Sequence, residues 1–145
     1  AVEFVEKIAK QLELFAVQLH GNEDEHYINK LYQGLEGKVQ IWKAVSIDLN
    51  AENVAIDDNP QIDRFVLDSK SGNQQGGTGK VFDWSLIPEN IKAKSLLAGG
   101  ISPENIEQAL QQGCLGVDLN SGVESSKGVK DFTKLTACFE KIKKG

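Results

Sequence analysis

Five short apolar runs, separated by segments with helical spacing, constrain this chain more than any other feature. The runs lie at residues 14–19, 39–45, 64–68, 94–98 and 115–119, so that their ends recur every 20 to 30 residues. Buried strands that alternate with helices pair in parallel, because each crossover helix covers a face of the sheet. The sequence therefore predicts an α/β fold built on a parallel sheet.

The segments between these runs carry apolar residues at helical spacing. Ser102 fits the N-cap of one predicted helix, and Pro103 suits its first turn, where no N–H is needed. The stretch from Leu49 to Ile56 is a weak helix ahead of Asn59-Pro60. In chain order, the predicted helices lie at residues 5–12, 28–37, 49–56, 84–87, 103–112 and 131–142.

A helix precedes the first predicted strand, which implies at least one earlier strand. Two architectures fit this pattern, an open doubly wound sheet and a (β/α)8 barrel. A complete barrel has eight strands and rarely fewer than about 200 residues, whereas this chain has 145 residues and contains no Met. We therefore expect that the chain begins within a longer polypeptide.

The composition narrows the range of partners and compartments. The net charge of -5 argues against nucleic acid or an anionic membrane surface as a partner, because phosphates would repel it. No apolar run approaches the roughly 18 residues that span a bilayer, and the first residues lack the pattern of a signal peptide. The two cysteines, Cys114 and Cys138, fit a reducing cytoplasm and lack the spacing of a metal site.

The candidate functional residues follow the predicted strands. In parallel sheets and barrels, the active site lies at the carboxyl ends of the strands. Those ends are occupied by His20-Gly21, by Asp68, by Gly99-Gly100 and by residues 118–122, which begin with Asp118. His20 could be a ligand-binding residue or a core histidine, and the pattern alone leaves both readings open.

Two small-residue loops indicate phosphate binding. Gly99 and Gly100 end the fourth predicted strand, and Ser121 and Gly122 follow the fifth. Glycines let an oxyanion approach backbone N–H groups, and barrels commonly bind phosphate after their last two strands. The alternative is that these glycines only form tight turns.

Asp68 is the candidate for acid–base chemistry. It ends an apolar strand and precedes a loop, not an immediate helix, which weakens its interpretation as a helix cap. A carboxyl at the mouth of a barrel can serve as a general acid or base, since partial burial can raise its pKa. A solvated turn residue is the alternative.

The glycine-rich loop at residues 71–79 is not a nucleotide-binding loop. A P-loop would need Gly at the place of Gln74 and Ser or Thr at the place of Val81. The dinucleotide fingerprint fails because Phe82 stands where its third Gly would be. We expect the loop to act as a lid over the ends of the strands.

Four separate segments resemble phosphoribosylanthranilate isomerases. Residues 17–23, 67–84, 97–105 and 117–131 resemble the fourth, sixth, seventh and eighth units of that family, in the same order and spacing. The segments around Trp42 and Cys114 are most similar to the bifunctional bacterial form, in which the isomerase is fused behind indole-glycerol-phosphate synthase. The resemblance covers essentially the whole chain.

The resemblance implies a partial (β/α)8 TIM barrel, units four to eight preceded by the third helix. Residues 1–145 would then be the C-terminal part of one barrel domain, with the N-terminal strands absent. It also implies an Amadori rearrangement in tryptophan biosynthesis that converts phosphoribosylanthranilate to carboxyphenylamino-deoxyribulose phosphate. No cofactor and no metal are implied, and the partner is a phosphorylated small molecule in the cytoplasm.

The resemblance also gives roles to individual residues. Asp68 matches the family's general acid, and His20 and Asp118 match positions around the substrate. Asn120 departs from the Ser usual at its position. The general base of the family is a Cys at the end of the first strand, and no matching motif is present, so we expect residues 1–145 alone to be inactive. The positions that match the phosphate loops are Gly99, Gly100, Ser121 and Gly122.

Two other functions fit parts of the pattern. A partial barrel could be a non-catalytic phosphate-binding module that closes by self-association, since an unpaired strand edge templates association. Another ribose-phosphate barrel, such as an epimerase, is disfavoured by the four matching segments. We expect either that strands outside residues 1–145 complete the sheet or that the chain forms oligomers.

Overall fold

The computed structural model of the chain describes residues 1–70 and 80–144. Five parallel strands carry the fold, and a short antiparallel hairpin follows them. The strands are β1 Ala16–Leu19, β2 Gln40–Asp48, β3 Arg64–Lys70, β4 Ser95–Ala98, β5 Gly116–Val117, and the hairpin strands β6 Glu124–Ser126 and β7 Val129–Lys130. The helices are α1 Val2–Gln11, α2 Glu25–Leu35, α3 Glu89–Lys92, α4 Ile106–Leu110 and α5 Phe132–Lys144, with 3-10 turns at Trp84–Leu86 and Ser121–Val123.

The five parallel strands lie side by side in the order in which they occur in the chain. A doubly wound sheet would reverse its strand order at a switch point, and the five described strands show no reversal. Sequential order with a helix or turn between neighbours is the arrangement of a (β/α) barrel. The predicted parallel sheet is confirmed, and β1 and β5 form the two edges of its described part.

The sheet has two different faces, because successive side chains of a strand point to opposite sides. One buried cluster joins Phe65, Leu67 and Leu97 of the sheet to Leu31 of α2 and Ile91 of α3. We call this helix-covered side the outer face. The opposite side, which we call the inner face, carries Gln18, Ser46, Val66, Asp68 and Ala98.

Helix α2 shows how the sequence produces the outer face. Asp24 caps its start by accepting a hydrogen bond from the N–H of Tyr27 at 2.8 Å. Ile28, Leu31 and Leu35 recur at helical spacing and are buried. The helix therefore packs one apolar stripe against the sheet and leaves its polar side to water. Within the described residues, no helix is both long and apolar enough to cross a membrane.

The predicted helix at residues 49–56 is wrong, because that segment has no regular structure. Strand β2 instead continues to Asp48, beyond the predicted end at residue 45. The Asp48 carboxylate then accepts a hydrogen bond from the N–H of Asn50 at 2.7 Å, and the Asp48 backbone carbonyl accepts one from the N–H of Ala51. Such local side-chain bonds stabilise a turn in competition with helix.

Two features near the end of the chain also differ from the prediction. The regular part of α4 is shorter than the predicted 103–112, and Ser102 is not its N-cap. The hydroxyl of Ser102 instead bonds to the Glu104 carboxylate, while the Asn105 side chain accepts from the Ser102 N–H at 2.9 Å. The β6–β7 hairpin was not predicted at all. The first two helices, the turn at Trp84 and the last helix are confirmed.

Candidate active site

Asp68 lies at the centre of the carboxyl edge of the sheet. Its register partners are Ser46 on β2 and Ala98 on β4. The preceding residue, Leu67, is buried on the outer face, so Asp68 points to the inner face. The expected partial burial is not seen, since Asp68 is exposed between these two small neighbours.

Gly99 brings the chain after β4 against this carboxylate. Its φ of +73° lies in the left-handed region, which favours glycine. A Cβ at this position would overlap Asp68 Oδ1 and would lie 2.7 Å from the backbone nitrogen of Ser69. The glycine is thus required both by its backbone conformation and by the close approach of Asp68.

The two predicted phosphate loops lie against each other. A Cβ on Gly122 would overlap the carbonyl of Ile101 and would lie 3.2 Å from the backbone nitrogen of Ser102. Gly122 sits in the 3-10 turn that also contains Ser121, and Ile101 directly follows Gly99-Gly100. The structure therefore brings together two loops, Gly99-Gly100 and Ser121-Gly122, that lie 21 to 23 residues apart in the sequence.

Gly100 is held in place by its own neighbours. Its φ is +76°, and a Cβ would lie 2.7 Å from the carbonyl oxygen of Lys80. Its carbonyl accepts from the Asn105 side chain at 2.8 Å. Gly100 therefore lies between the end of β4, Asn105 ahead of α4, and Lys80. The predicted lid at residues 71–79 lies outside the described residues.

Asp118 extends the row of acidic residues on the inner face. It directly follows β5, and its N–H donates to the Leu97 carbonyl at 2.8 Å. Continued register places it beside Ala98, whose other neighbour is Asp68. Two strand spacings separate the Cα atoms of the two aspartates by about 10 Å. Both carboxylates are exposed.

His20 lies near the same edge but closer to the amino ends of the strands than Asp68. It directly follows β1, and continued register places it beside Ala44 and then Val66, two residues before Asp68. Two residues of strand correspond to about 7 Å. Such stagger is a property of barrel sheets. The His20 side chain is exposed, so the alternative of a core histidine is wrong for the described part of the chain.

A network that the sequence did not reveal fixes the peptide after His20. The Gly21 N–H donates to the Glu23 carboxylate at 3.0 and 3.2 Å, and the Gly21 carbonyl accepts from Lys43 Nζ at 2.5 Å. Lys43 and Glu23 also form an ion pair of 2.7 Å. Burial acts to raise the pKa of Glu23, but the hydrogen bond from Lys43 and the backbone bonds outweigh it, so that this pKa is lowered. The only sign of this network in the sequence is Lys43, a charged residue within a predicted strand.

A second network lies beside the phosphate loops. Lys130 on β7 donates to Asn120 Oδ1 at 2.6 Å and to Glu124 Oε1 at 2.7 Å. The hydrogen bond from Lys130, followed by that from the Gly128 N–H, lowers the pKa of Glu124. The unpredicted hairpin thereby holds Asn120, the residue next to Ser121.

The two cysteines lie away from this edge. Cys114 precedes β5, at the amino end of the strand, and Cys138 is buried in α5. Burial raises the pKa of both thiols. A thiol with a raised pKa forms less of the reactive thiolate. In residues 1–70 and 80–144, no group of three or more His, Cys, Asp or Glu could hold a metal ion.

The chain matches the family described as N-(5'-phosphoribosyl)anthranilate (PRA) isomerase over residues 1–141. The tryptophan biosynthesis protein TrpCF of Haemophilus influenzae is 58% identical over 142 residues, which cover 97% of this chain and 30% of that protein. The chain thus spans about 30% of the length of the curated relatives that it matches.

Solved structures show the same fold. The phosphoribosyl anthranilate isomerase of Thermotoga maritima superposes with a TM-score of 0.72 at 27% identity, covering 99% of this chain and 69% of that one. Another phosphoribosyl anthranilate isomerase, solved with reduced 1-(o-carboxyphenylamino)-1-deoxyribulose 5-phosphate, gives a TM-score of 0.67 at 25% identity. This superposition covers 67% of that structure and 99% of this chain.

Proposed function

The chain belongs to the N-(5'-phosphoribosyl)anthranilate isomerase family, and we propose that it supplies most of the active site of such an isomerase. The substrate is N-(5'-phosphoribosyl)anthranilate, and the product is carboxyphenylamino-deoxyribulose 5-phosphate, in tryptophan biosynthesis. The observation that carries the proposal is the position of Asp68. It stands at the centre of the carboxyl edge, against Gly99 and in line with Asp118.

Asp68 is the general acid of this reaction. Its protonated carboxyl gives a proton to the ribose ring oxygen as the bond between that oxygen and C1 breaks. The lone pair of the anilino nitrogen forms the double bond to C1, which leaves an open-chain protonated imine. A base then removes the proton from C2, and the resulting enol-amine rearranges to the ketose. General acid–base catalysis contributes typically 10²- to 10⁴-fold to the rate. His20 and Asp118 line the substrate on either side of Asp68.

The phosphate of the substrate binds where the loops after β4 and β5 meet. The contact of Gly122 with the Ile101 carbonyl supports this location, because it draws the small residues of the two loops together. Backbone N–H groups in such glycine-rich turns bind oxyanions. The phosphate-binding residues are Gly99, Gly100, Ser121 and Gly122.

The general base lies on a strand outside residues 1–145. Cys114 precedes β5 and Cys138 is buried in α5, and the pKa of each thiol is raised, so both are unsuitable as the base. The chain is the C-terminal part of one barrel domain, units four to eight behind the third helix. In the native polypeptide, an indole-glycerol-phosphate synthase domain precedes the isomerase.

Exposed apolar residues beside β1 and on α5 support a missing part. Phe15, next to β1, is 71% exposed, and Phe132, at the start of α5, is 83% exposed. Phe15 adjoins an edge strand, and an exposed strand edge favours pairing with further chain. Strands from the rest of the barrel would cover it. The second candidate function, a phosphate-binding module, would cover it by self-association.

An isomerase assay on the native polypeptide and on residues 1–145 alone tests the proposal. Intact-mass analysis first establishes the length of each protein. We expect turnover by a native polypeptide longer than 145 residues and none by residues 1–145. Robust turnover by residues 1–145 would refute the location of the base. Phosphate binding by a self-associated chain, without turnover by the native polypeptide, would favour the second candidate.

A further inference from the structure

The Lys43–Glu23 ion pair differs from the exposed pairs of this chain in its burial. The side chains of Lys43 and Glu23 are 15% and 21% exposed, whereas both members of the Lys30–Glu3 pair are more than half exposed. Solvent-exposed pairs contribute little to stability, and partial burial strengthens the interaction between charges. The pair is therefore a fixed element of the structure.

Both backbone polar groups of Gly21 end on this pair. Its N–H donates to both oxygens of Glu23, and its carbonyl accepts from Lys43 Nζ. A Cβ on Gly21 would lie only 2.9 Å from Glu23 Oε1. The small residue thus lets the carboxylate reach the backbone, and the orientation of the loop after β1 is set by two side chains.

The fixed peptide is the one that follows His20. Lys43 lies on β2 beside Leu19, the last residue of β1, so the ammonium group links the loop to a strand inside the sheet. His20 itself is exposed, and the next residue, Gly21, is the one whose backbone groups bond to Glu23 and Lys43. The direction of His20 therefore depends on the bonds that Gly21 makes.

On the basis of the isomerase function proposed above, we infer that Glu23 and Lys43 are positioning residues for His20. They do not touch the substrate. They hold the loop so that the imidazole faces the substrate at the inner side of the carboxyl edge. Loss of the pair leaves His20 in place but misdirected, and it weakens substrate binding more than it slows the chemical step.

The test replaces Lys43 by Met in the native polypeptide and measures KM and kcat for phosphoribosylanthranilate. We expect KM to rise about tenfold, because a small misplacement of a binding group is costly, and kcat to change less. The matched control is Lys94→Met. Lys94 also pairs with a carboxylate, Asp58, and donates to two backbone carbonyls, but at the amino end of β4. The control should lower the unfolding midpoint and leave KM unchanged.

A double-mutant cycle with His20→Ala separates positioning from general destabilisation. If Lys43 acts through His20, then Lys43→Met has no further effect on KM once the imidazole is gone. Lys43→Arg, which retains the charge and a donor, should restore part of the wild-type KM. If Lys43→Met does not fold, Glu23→Gln replaces it in the same cycle, with a smaller expected rise in KM.

The outcomes distinguish the two proposals. A wild type without isomerase turnover overturns the proposed function, and the positioning role with it. An active wild type whose KM is unchanged in folded Lys43→Met, or in folded Glu23→Gln, overturns the positioning role alone. A rise in KM that is equally large in the His20→Ala background overturns it as well.

Discussion

The outer and inner faces of the sheet have different roles: residues on the outer face stabilise the fold, and residues at the inner edge carry the chemistry. Neighbouring residues of one strand can therefore differ in role. On β3, Leu67 is fully buried among the helices, and Asp68, the next residue, is exposed at the carboxyl edge. The outer face is packed against the helices, whereas the inner face carries Ser46 and Asp68 at the carboxyl edge, both of them exposed. A substitution on the outer face should therefore change the free energy of unfolding, and one at the inner edge should change catalysis.

Leu67→Ala tests the role of the outer face and should have the largest effect on stability. Removal of a fully buried leucine side chain costs about 2–5 kcal/mol of unfolding free energy, through lost transfer energy and the cavity left behind. Denaturant unfolding of the native polypeptide measures this loss. The kcat/KM of the folded variant should stay within about threefold of wild type. A selective loss of kcat, with normal stability, would contradict the division between the faces.

Gly99→Ala tests the inner edge, with Gly37→Ala as its control. Both glycines have a φ near +70°, but a Cβ on Gly37 meets nothing within 4 Å, whereas one on Gly99 meets Asp68. Gly37→Ala should lose about 1–2 kcal/mol of stability from backbone strain, and Gly99→Ala should lose more, because its Cβ would also lie 2.7 Å from the Ser69 backbone nitrogen. Only Gly99→Ala should also lower kcat, by about 10- to 100-fold, because it displaces the general acid. Equal kinetic losses in the two variants would show that strain alone is responsible.

Acid should weaken the Lys43–Glu23 pair. This pair lies on the outer face, but it holds the loop that carries His20 at the inner edge. The pKa of Glu23 is lowered in the folded state, so its contribution to stability is present above the usual glutamate pKa. It is lost as the pH falls through the lowered value. The stability difference between wild type and Lys43→Met should therefore shrink by about 1 kcal/mol between pH 6.5 and pH 3. Denaturant midpoints measure this difference, and a constant gap would contradict it.

The positions of the strands along the chain could be predicted because they depend on local patterns, whereas the pattern left their order in the sheet open between a doubly wound sheet and a barrel. Each apolar run of the sequence became a strand, because strands of a parallel sheet are rich in apolar residues. The segment after β2 could not be predicted, because the bonds from Asp48 to Asn50 and Ala51 decide it. The prediction of where α4 begins was wrong for the same reason, because the Asn105 side chain accepts a hydrogen bond from the N–H of Ser102.

The candidate site was predictable where position alone decides it. Parallel strands bring Asp68, Gly99 and Asp118 to one edge whatever the details of packing. The pairing of Lys43 with Glu23 joins the loop after β1 to strand β2, twenty residues later, and it depends on side-chain directions that spacing does not encode. The roles given to the site residues are still proposals.

The central claim is that Asp68 is the general acid of an isomerase, and the kinetics of Asp68→Asn in the native polypeptide test it most directly. The amide retains the shape of the side chain but has no acidic proton to give. We predict that kcat falls about 10²- to 10⁴-fold, that KM changes much less, and that the unfolding midpoint stays at its wild-type value. A variant that turns over phosphoribosylanthranilate with the wild-type kcat would contradict the account.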